Sequence, residues 1–410
     1  MRLRLLLTSC WQDKYETIQA RLPQVSEIYW KREATMPRTE REVHPLLNQT
    51  PSSKPAENFA PGIGIAATAT AVPQFSVSRE DVKSYFGKVF SIEPARLEAM
   101  MAIIDNSQVK RRYCIHPVDH IIQPRPLSQI SREYQEHALL LGQEVATRCL
   151  ARASMQPEDI DLIITVSCTG VMIPSLDAHL INQMGFRPNV RRLPITELGC
   201  AAGAAAVARA WEFVRAYPGS SVLVVSVELS SLTFQRGDFS QANFISSILF
   251  GDGAAAAVIT GRPVCGPQIL DTDTYLFPDS LDAMGFDLKE SGFHIVLSKD
   301  VPQMIREKIK SLVTRFLDRH GLRREQISAF ILHPGGQKLL LFIEEELGLN
   351  RGDTQLSWDT LAEYGNLSSA SVIFVLHEWL TKRRIEPGAY GLLAAFGPGF
   401  SSEMLLLRWA

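Results

Sequence analysis

The stretch ITELGCAAGAAAVARAWEFV, Ile195–Val214, changes character at a single cysteine. The residues before Cys200 read as the end of a short strand, and those after it as a helix built largely from alanine and glycine. A thiol at that seam meets the free N–H groups of the first helical turn and the positive end of the helix dipole, which together favour a thiolate. Gly199, Ala201, Ala202 and Gly203 leave room for another segment or a ligand to approach. The same pattern also suits a cysteine packed in a small-residue core, and this stretch alone does not separate the two.

The segments around it extend the strand–helix alternation. DIDLIITVSCTG (159–170), SSVLVVSVEL (220–229) and GAAAAVIT (253–260) are apolar, β-branched or small-residue runs of the kind found in buried strands. SLDAHLINQMGF (175–186) and a long stretch over Ser131–Arg152 are helical. The pattern then recurs: a helix over Val301–His320, the strand ISAFILH, the helix GGQKLLLFIEEELGL, another helix within NLSSASVIFVLHEWLTKR, and two closing strands. Such alternation in both halves implies an α/β protein of two similar layered halves. GIGIAATATAVP (62–73) carries a loose Gly-x-Gly-x-x-Ala, but no strand precedes it and Pro73 ends it, so it reads as a first strand and not as a nucleotide loop.

The 410 residues exceed one ordinary core, which again favours two halves. Residues 1–58 differ: HPLLNQTPSSKPAENFAP lacks periodicity and reads as a flexible extension, with a short helix expected over Tyr15–Arg21. A formal net charge of −2 argues against a general nucleic-acid binder. No apolar run approaches the roughly 18–20 residues of a membrane span. The six cysteines, Cys10, Cys114, Cys149, Cys168, Cys200 and Cys265, show no zinc-type spacing and are too sparse for a disulfide scaffold. A cytoplasmic protein with reduced thiols and no metal is expected.

Two further positions join Cys200. His333 ends an apolar strand at the turn Pro334-Gly335-Gly336, and Asn366 stands in a Gly-Asn turn ahead of a small-residue helix. Loops at strand ends are where α/β proteins build sites. Cysteine, histidine and asparagine together perform two tasks. The imidazole activates the thiol. Histidine and asparagine then donate hydrogen bonds to a thioester oxygen that becomes negative. That pair suits decarboxylation of a malonyl thioester, whose enolate would attack an acyl group on Cys200 in a Claisen condensation.

These motifs, together with VKRRY, VSCTGVMIPSLDAHLINQMGF, LGCAAG, LFGDGAAAAV, KDVP, HPGG, YGNLSSAS and FGPG in that order, resemble the type III polyketide synthases, relatives of chalcone synthase, over Pro61–Ala410. The resemblance implies a thiolase-like α/β fold, with two αβαβα halves forming a five-layered core. Residues 59–262 would carry the nucleophile and residues 263–410 the histidine and asparagine. It also implies a homodimer, no cofactor, and small-molecule thioesters, acyl-CoA and malonyl-CoA, as substrates. It assigns Cys200 as nucleophile with His333 and Asn366 as partners, and Phe250 as a gatekeeper. Cys168, Thr233 and Ile173 fall at cavity-wall positions, Glu228 and Ser368 at positions tied to cyclisation, and Lys338 at a coenzyme A contact.

The chain also departs from that pattern. Ala99, Ala102 and Asn106 stand where plant enzymes place basic residues, and Ala395 opens the usual Gly-Phe-Gly-Pro-Gly segment. Ile295 replaces the second gatekeeper phenylalanine. A smaller side chain there widens an apolar tunnel, and each buried methylene contributes about 0.8 kcal/mol. The expectation is therefore a fatty acyl starter, extended with malonyl-CoA and released as an alkylpyrone or alkylresorcinol. The alternative is a malonyl-primed synthase of a polyhydroxylated aromatic, and a ketoacyl-ACP synthase III stands further off.

Overall fold

The computed structural model describes residues 62–89 and 93–410. The expected extension 1–58 and the helix expected over Tyr15–Arg21 lie outside the described residues. The first half contains β1 (Gly64–Ala71), β2 (Phe75–Ser78), α1 (Arg79–Val89), α2 (Pro94–Asn106), β3 (Arg111–Cys114), α3 (Val118–Ile121), α4 (Leu127–Ala153), β4 (Leu162–Val166), α5 (Leu176–Met184), β5 (Arg191–Ile195), α6 (Ala202–Ala216), β6 (Ser221–Leu229), α7 (Gln241–Leu249) and β7 (Asp252–Thr260). The second contains β8 (Pro267–Leu276), β9 (Met284–Lys289), β10 (Gly292–Leu297), α8 (Val301–Asp318), β11 (Ile327–Leu332), α9 (Gln337–Leu347), α10 (Arg351–Tyr364), α11 (Ser371–Lys382), β12 (Tyr390–Gly397) and β13 (Ser401–Trp409).

Nine strands form a mixed sheet in the order β11-β12-β13-β8-β1-β7-β6-β4-β5. The two halves of this sheet meet at β1 and β8, which share the single pair Gly64–Gln268. Side chains alternate across a strand, so each half-sheet has two faces to cover. Ile164, Val222, Val224 and Ala257 from one half, and Ile331, Leu393 and Leu405 from the other, pack on the central helices α6 and α11. The opposite face of the first half, with Ile163, Leu223 and Val225, packs on α4 and α5. The opposite face of the second, with Phe330, Leu392 and Met404, packs on α8, α9 and α10. Helices, sheet, helices, sheet, helices: the five-layered thiolase-like reading holds. Among the described residues, no helix is long and apolar enough to cross a membrane.

Alanine and glycine in α6 follow from its place in the middle layer. Ala202 through Ala208 are all buried, and wide side chains would hold the layers apart. Gly203 is the tightest point. A Cβ there would lie 2.0 Å from the backbone carbonyl oxygen of Ser369, just ahead of α11.

Several elements escaped the sequence reading. The hairpin β9–β10 and the pair β2–β3 are short and half-exposed, so their alternation is weak, and the nine-residue α7 (Gln241–Leu249) is too short to stand out despite burying Phe244, Ile248 and Leu249. The Asn350–Asp353 stretch, NRGD, reads in sequence as a surface turn. In the structure it opens α10 through a capping box, in which Asn350 Oδ1 accepts from Gly352 N–H at 2.8 Å and Asp353 Oδ2 accepts from Asn350 N–H at 2.9 Å.

The tight contact at Gly203 gives a direct test. Gly203→Ala places a methyl group against backbone that cannot yield, and overpacking of this kind costs about 1–3 kcal/mol or more. Its thermal midpoint is expected well below that of Gly237→Ala, where an added Cβ meets nothing within 4 Å. Equal midpoints would contradict this packing.

Candidate active site

Cys200 sits in a single 3₁₀ turn, Gly199–Ala201, that delivers the chain from β5 into α6. Gly199 makes the turn possible. Its φ is +47°, and a Cβ there would lie 2.5 Å from Cδ of Pro398 in the loop between β12 and β13. The thiol is 6% exposed. Its hydrogen-bonding neighbour is the Ser368 hydroxyl, with Sγ to Oγ at 3.5 Å. Ser368 Oγ also lies 3.3 Å from Cys168 Sγ, so one hydroxyl stands between two thiols.

Asn366 is held by its backbone and its side chain. Its N–H donates to the Leu249 carbonyl at 2.8 Å, and its own carbonyl accepts from Gly251 N–H at 3.1 Å. Its Oδ1 accepts from Ser368 N–H at 2.8 Å and from the Ser371 hydroxyl at 3.3 Å. A backbone N–H only donates, so this contact fixes which end of the amide is oxygen and leaves Nδ2 free to donate. Nδ2 faces the Gly335 carbonyl at 3.5 Å. Gly335 in turn abuts the imidazole: a Cβ there would lie 3.3 Å from His333 Nε2. His333 follows directly on β11, its N–H donating to the Ala394 carbonyl at 2.9 Å. The structure thus brings Cys200, Asn366 and His333, from three distant segments, into one neighbourhood.

The electrostatics differ from the thiolate expected at a helix start. Burial pushes the Cys200 thiol up to about 11, against hydrogen bonds from Ser368 and Asn366 that pull it down. Burial pushes the His333 imidazole down to about 3. Burial thus favours the neutral form of both groups. Cys200 bonds to Ser368 and not to His333, whose buried Nδ1 has no hydrogen-bond partner.

Behind the wall lies Glu228, fully buried on β6. Its Oε2 accepts from the Thr169 hydroxyl at 2.8 Å and from Cys168 N–H at 3.1 Å, and its Oε1 accepts from the Ser369 hydroxyl. Burial raises the carboxyl above its ordinary range while these donors oppose the shift. Glu228 ties the loop after β4 to the turn before α11. It does not itself line the cavity that opens at Cys200.

Cys168, Thr233, Phe250, Ile295 and Ser368 do line that cavity, together with Thr169, Ser230, Ser246, Met284, Phe286 and Pro398. Lys338 is exposed in the first turn of α9. Ile173 does not line the cavity of its own chain. It is 91% exposed, because the chain has by then left the buried end of β4 and reached the surface ahead of α5. Phe286 is the most consequential residue that sequence reasoning missed. It pairs with Ile295 across the β9–β10 hairpin, and both side chains line the cavity. An aromatic ring thus stands beside Ile295, and the widening expected from that substitution is offset from the partner strand. The signal was available only through the hairpin register.

The sequence pattern of the chalcone and stilbene synthases matches in both of its parts, the N-terminal domain over residues 56–263 and the C-terminal domain over residues 268–410. The chain is 37% identical over 354 residues to the 1,3,6,8-tetrahydroxynaphthalene synthase of Streptomyces peucetius subsp. caesius, covering 85% of this chain and 93% of that one. It is 33% identical over 338 residues to the phloroglucinol synthase of Pseudomonas fluorescens, covering 82% and 96%. The crystal structure of 1,3,6,8-tetrahydroxynaphthalene synthase from Streptomyces coelicolor A3(2) superposes with a TM-score of 0.82 at 35% identity, covering 84% of this chain and 99% of that one.

The Ser368 contact makes a pH prediction. The hydroxyl stabilises the Cys200 thiolate, so its loss raises the thiol pKa further and lowers the thiolate fraction at every pH below the midpoint. Iodoacetamide alkylation of Cys200, followed by peptide mass spectrometry, is expected to shift to higher pH in Ser368→Ala. An unchanged or lower midpoint would contradict the contact.

Proposed function

Because the chain belongs to the chalcone and stilbene synthase family and is a bacterial-type type III polyketide synthase, we propose that it primes itself with malonyl-CoA and builds a polyhydroxylated aromatic by repeated Claisen condensation on Cys200. One observation carries this choice over a fatty acyl starter: Phe286 faces Ile295 beside Phe250, so bulky side chains crowd the cavity where an acyl chain would need a widened gate. The relatives lend support. 1,3,6,8-Tetrahydroxynaphthalene and phloroglucinol carry oxygen on alternating carbons, the pattern left by two-carbon units joined head to tail without an alkyl or aryl starter.

In this proposal the Cys200 sulfur attacks the thioester carbonyl of malonyl-CoA and expels the coenzyme A thiolate, while the thiol proton passes to His333. Burial disfavours a lone thiolate and a lone imidazolium alike, so the two charges form as a pair, each offsetting the other's desolvation. For extension, a second malonyl thioester loses its carboxylate as carbon dioxide. The electron pair moves onto the thioester oxygen, where the Asn366 amide and the neutral His333 imidazole each donate a hydrogen bond. His333 has by then passed its proton to the departed coenzyme A thiolate, and the enolate carbon attacks the acyl carbonyl on Cys200 and releases the sulfur as thiolate. The lengthened chain, now a coenzyme A thioester, returns to Cys200 by the same thioester exchange before the next round. The homodimer that the family resemblance implies is retained in this proposal, with the exposed Ile173 available to its interface.

Malonyl-CoA alone is expected to yield an aromatic product by mass, with fatty acyl-CoAs left unused. Phe286→Ala is expected to admit those fatty acyl-CoAs as starters. A wild-type enzyme that stays silent on malonyl-CoA but works once given a fatty acyl-CoA would overturn the reading. Asn366→Ala is expected to slow malonyl decarboxylation by about 2.7–4 kcal/mol in the transition state, the usual cost of one oxyanion donor, while acyl loading on Cys200 persists. Equal loss of both steps would make Asn366 a structural residue.

A further inference from the structure

Outside the cavity, one group of side chains has the arrangement of metal ligands. His116 precedes Pro117, His120 lies within the single turn of α3, and Glu133 and His137 lie one turn apart on α4. His116 Nε2 lies 3.4 Å from Glu133 Oε2, and His120 Nε2 lies 3.3 Å from Glu133 Oε1. One ligand atom from each of the three residues lies within 4.8 Å of the others, an arrangement that no other three His, Cys, Asp or Glu side chains share among the described residues. The His120–Glu133 contact is a long hydrogen bond, and the two imidazoles reach different oxygens of one carboxylate, so an ion held by both nitrogens would take that carboxylate as its third ligand at bonds of about 2.0–2.2 Å. His116 Nε2 is buried and has no hydrogen-bond partner. The His137 ring sits edge-on to His116 at 5.0 Å between centroids, beside this group of three and outside it.

We propose that His116, His120 and Glu133 form a zinc-binding site that fastens the segment around α3 to helix α4. The donor set decides the ion. Two imidazole nitrogens and one carboxylate suit Zn²⁺, whereas Mg²⁺ and Ca²⁺ take oxygen ligands. Gln129 Nε2 donates to Glu133 Oε1 at 2.8 Å and the Arg125 guanidinium donates to Oε2, so the carboxylate is already oriented by the hydrogen bonds that ligating carboxylates carry. Each oxygen keeps a lone pair for the metal. Arg125 also brings a positive charge, which weakens the site relative to a cysteine-rich zinc centre. The segment held by the ion carries Val118 and Ile121, which line an apolar pocket that also touches Phe250 and Ser246 of the catalytic cavity.

The test uses the full-length, metal-stripped protein. Zn²⁺ is titrated in competition with a chromophoric chelator, and Co²⁺ serves as the spectroscopic probe. One equivalent of Zn²⁺ is expected to bind and raise the thermal midpoint. Co²⁺ is expected to give tetrahedral d–d bands without thiolate charge transfer. His120→Asn changes a side chain that is 41% exposed, and it is expected to weaken Zn²⁺ binding about tenfold or more and to abolish the rise in midpoint. Glu133→Gln provides a second variant with the same expected loss. Absence of stoichiometric binding, affinity unchanged in both variants, or a Co²⁺–thiolate band that places the ion on a cysteine would each overturn the site.

Discussion

The close approach of α6 to the turn before α11, where Gly203 meets the carbonyl of Ser369, sets the spacing on which the site depends. The same turn is anchored from the other side, because the Ser369 hydroxyl donates to buried Glu228, which also holds Cys168 and Thr169. Ser368 is therefore fixed between two anchored neighbours with φ at +48°, a left-handed conformation that a non-glycine residue adopts only when its surroundings impose it. That conformation coexists with a Ser368 N–H bonded to Asn366 Oδ1 and a hydroxyl set between the thiols of Cys200 and Cys168. Buried Glu228 and the missing Cβ of Gly203 thus fix the turn that carries Ser368.

The chemistry follows from how dry this place is. A solvated cysteine beside a histidine would hold much of its charge separation in the resting state. Here burial favours the neutral thiol and imidazole, and in the proposed reaction charge forms as a pair or on a substrate oxygen that meets hydrogen-bond donors. The Asn366 amide is oriented by Ser368 N–H, which donates to its Oδ1, and the backbone of His333 is held by its own N–H donating to the Ala394 carbonyl.

Much of this was legible in the sequence, for reasons that can be named. The layered fold showed in strands such as Leu162–Val166 and Ser221–Leu229, whose continuous burial leaves an unbroken apolar run. Cys200, His333 and Asn366 showed because each stands where a regular element gives way to a glycine-containing turn. The rest depended on three-dimensional register. Phe286 lines the cavity only because it pairs with Ile295, and a hairpin with half-exposed strands carries little periodic signal. Ile173 matched a wall position by order in the chain, yet the loop bearing it leaves the core before reaching α5. His116 and Glu133 meet across a loop that two prolines flanking Arg125 redirect, and nothing in their spacing announces it.

The central claim is that this buried turn makes Cys200, and not its neighbour Cys168, the carrier of the growing chain. Peptide mass spectrometry of the wild-type protein, quenched during turnover with malonyl-CoA, tests it most directly. The account predicts acyl groups on the Cys200 peptide that increase in steps of C₂H₂O, with the Cys168 peptide unmodified. Acyl groups found on Cys168, or a Cys200 that stays free throughout turnover, would contradict it.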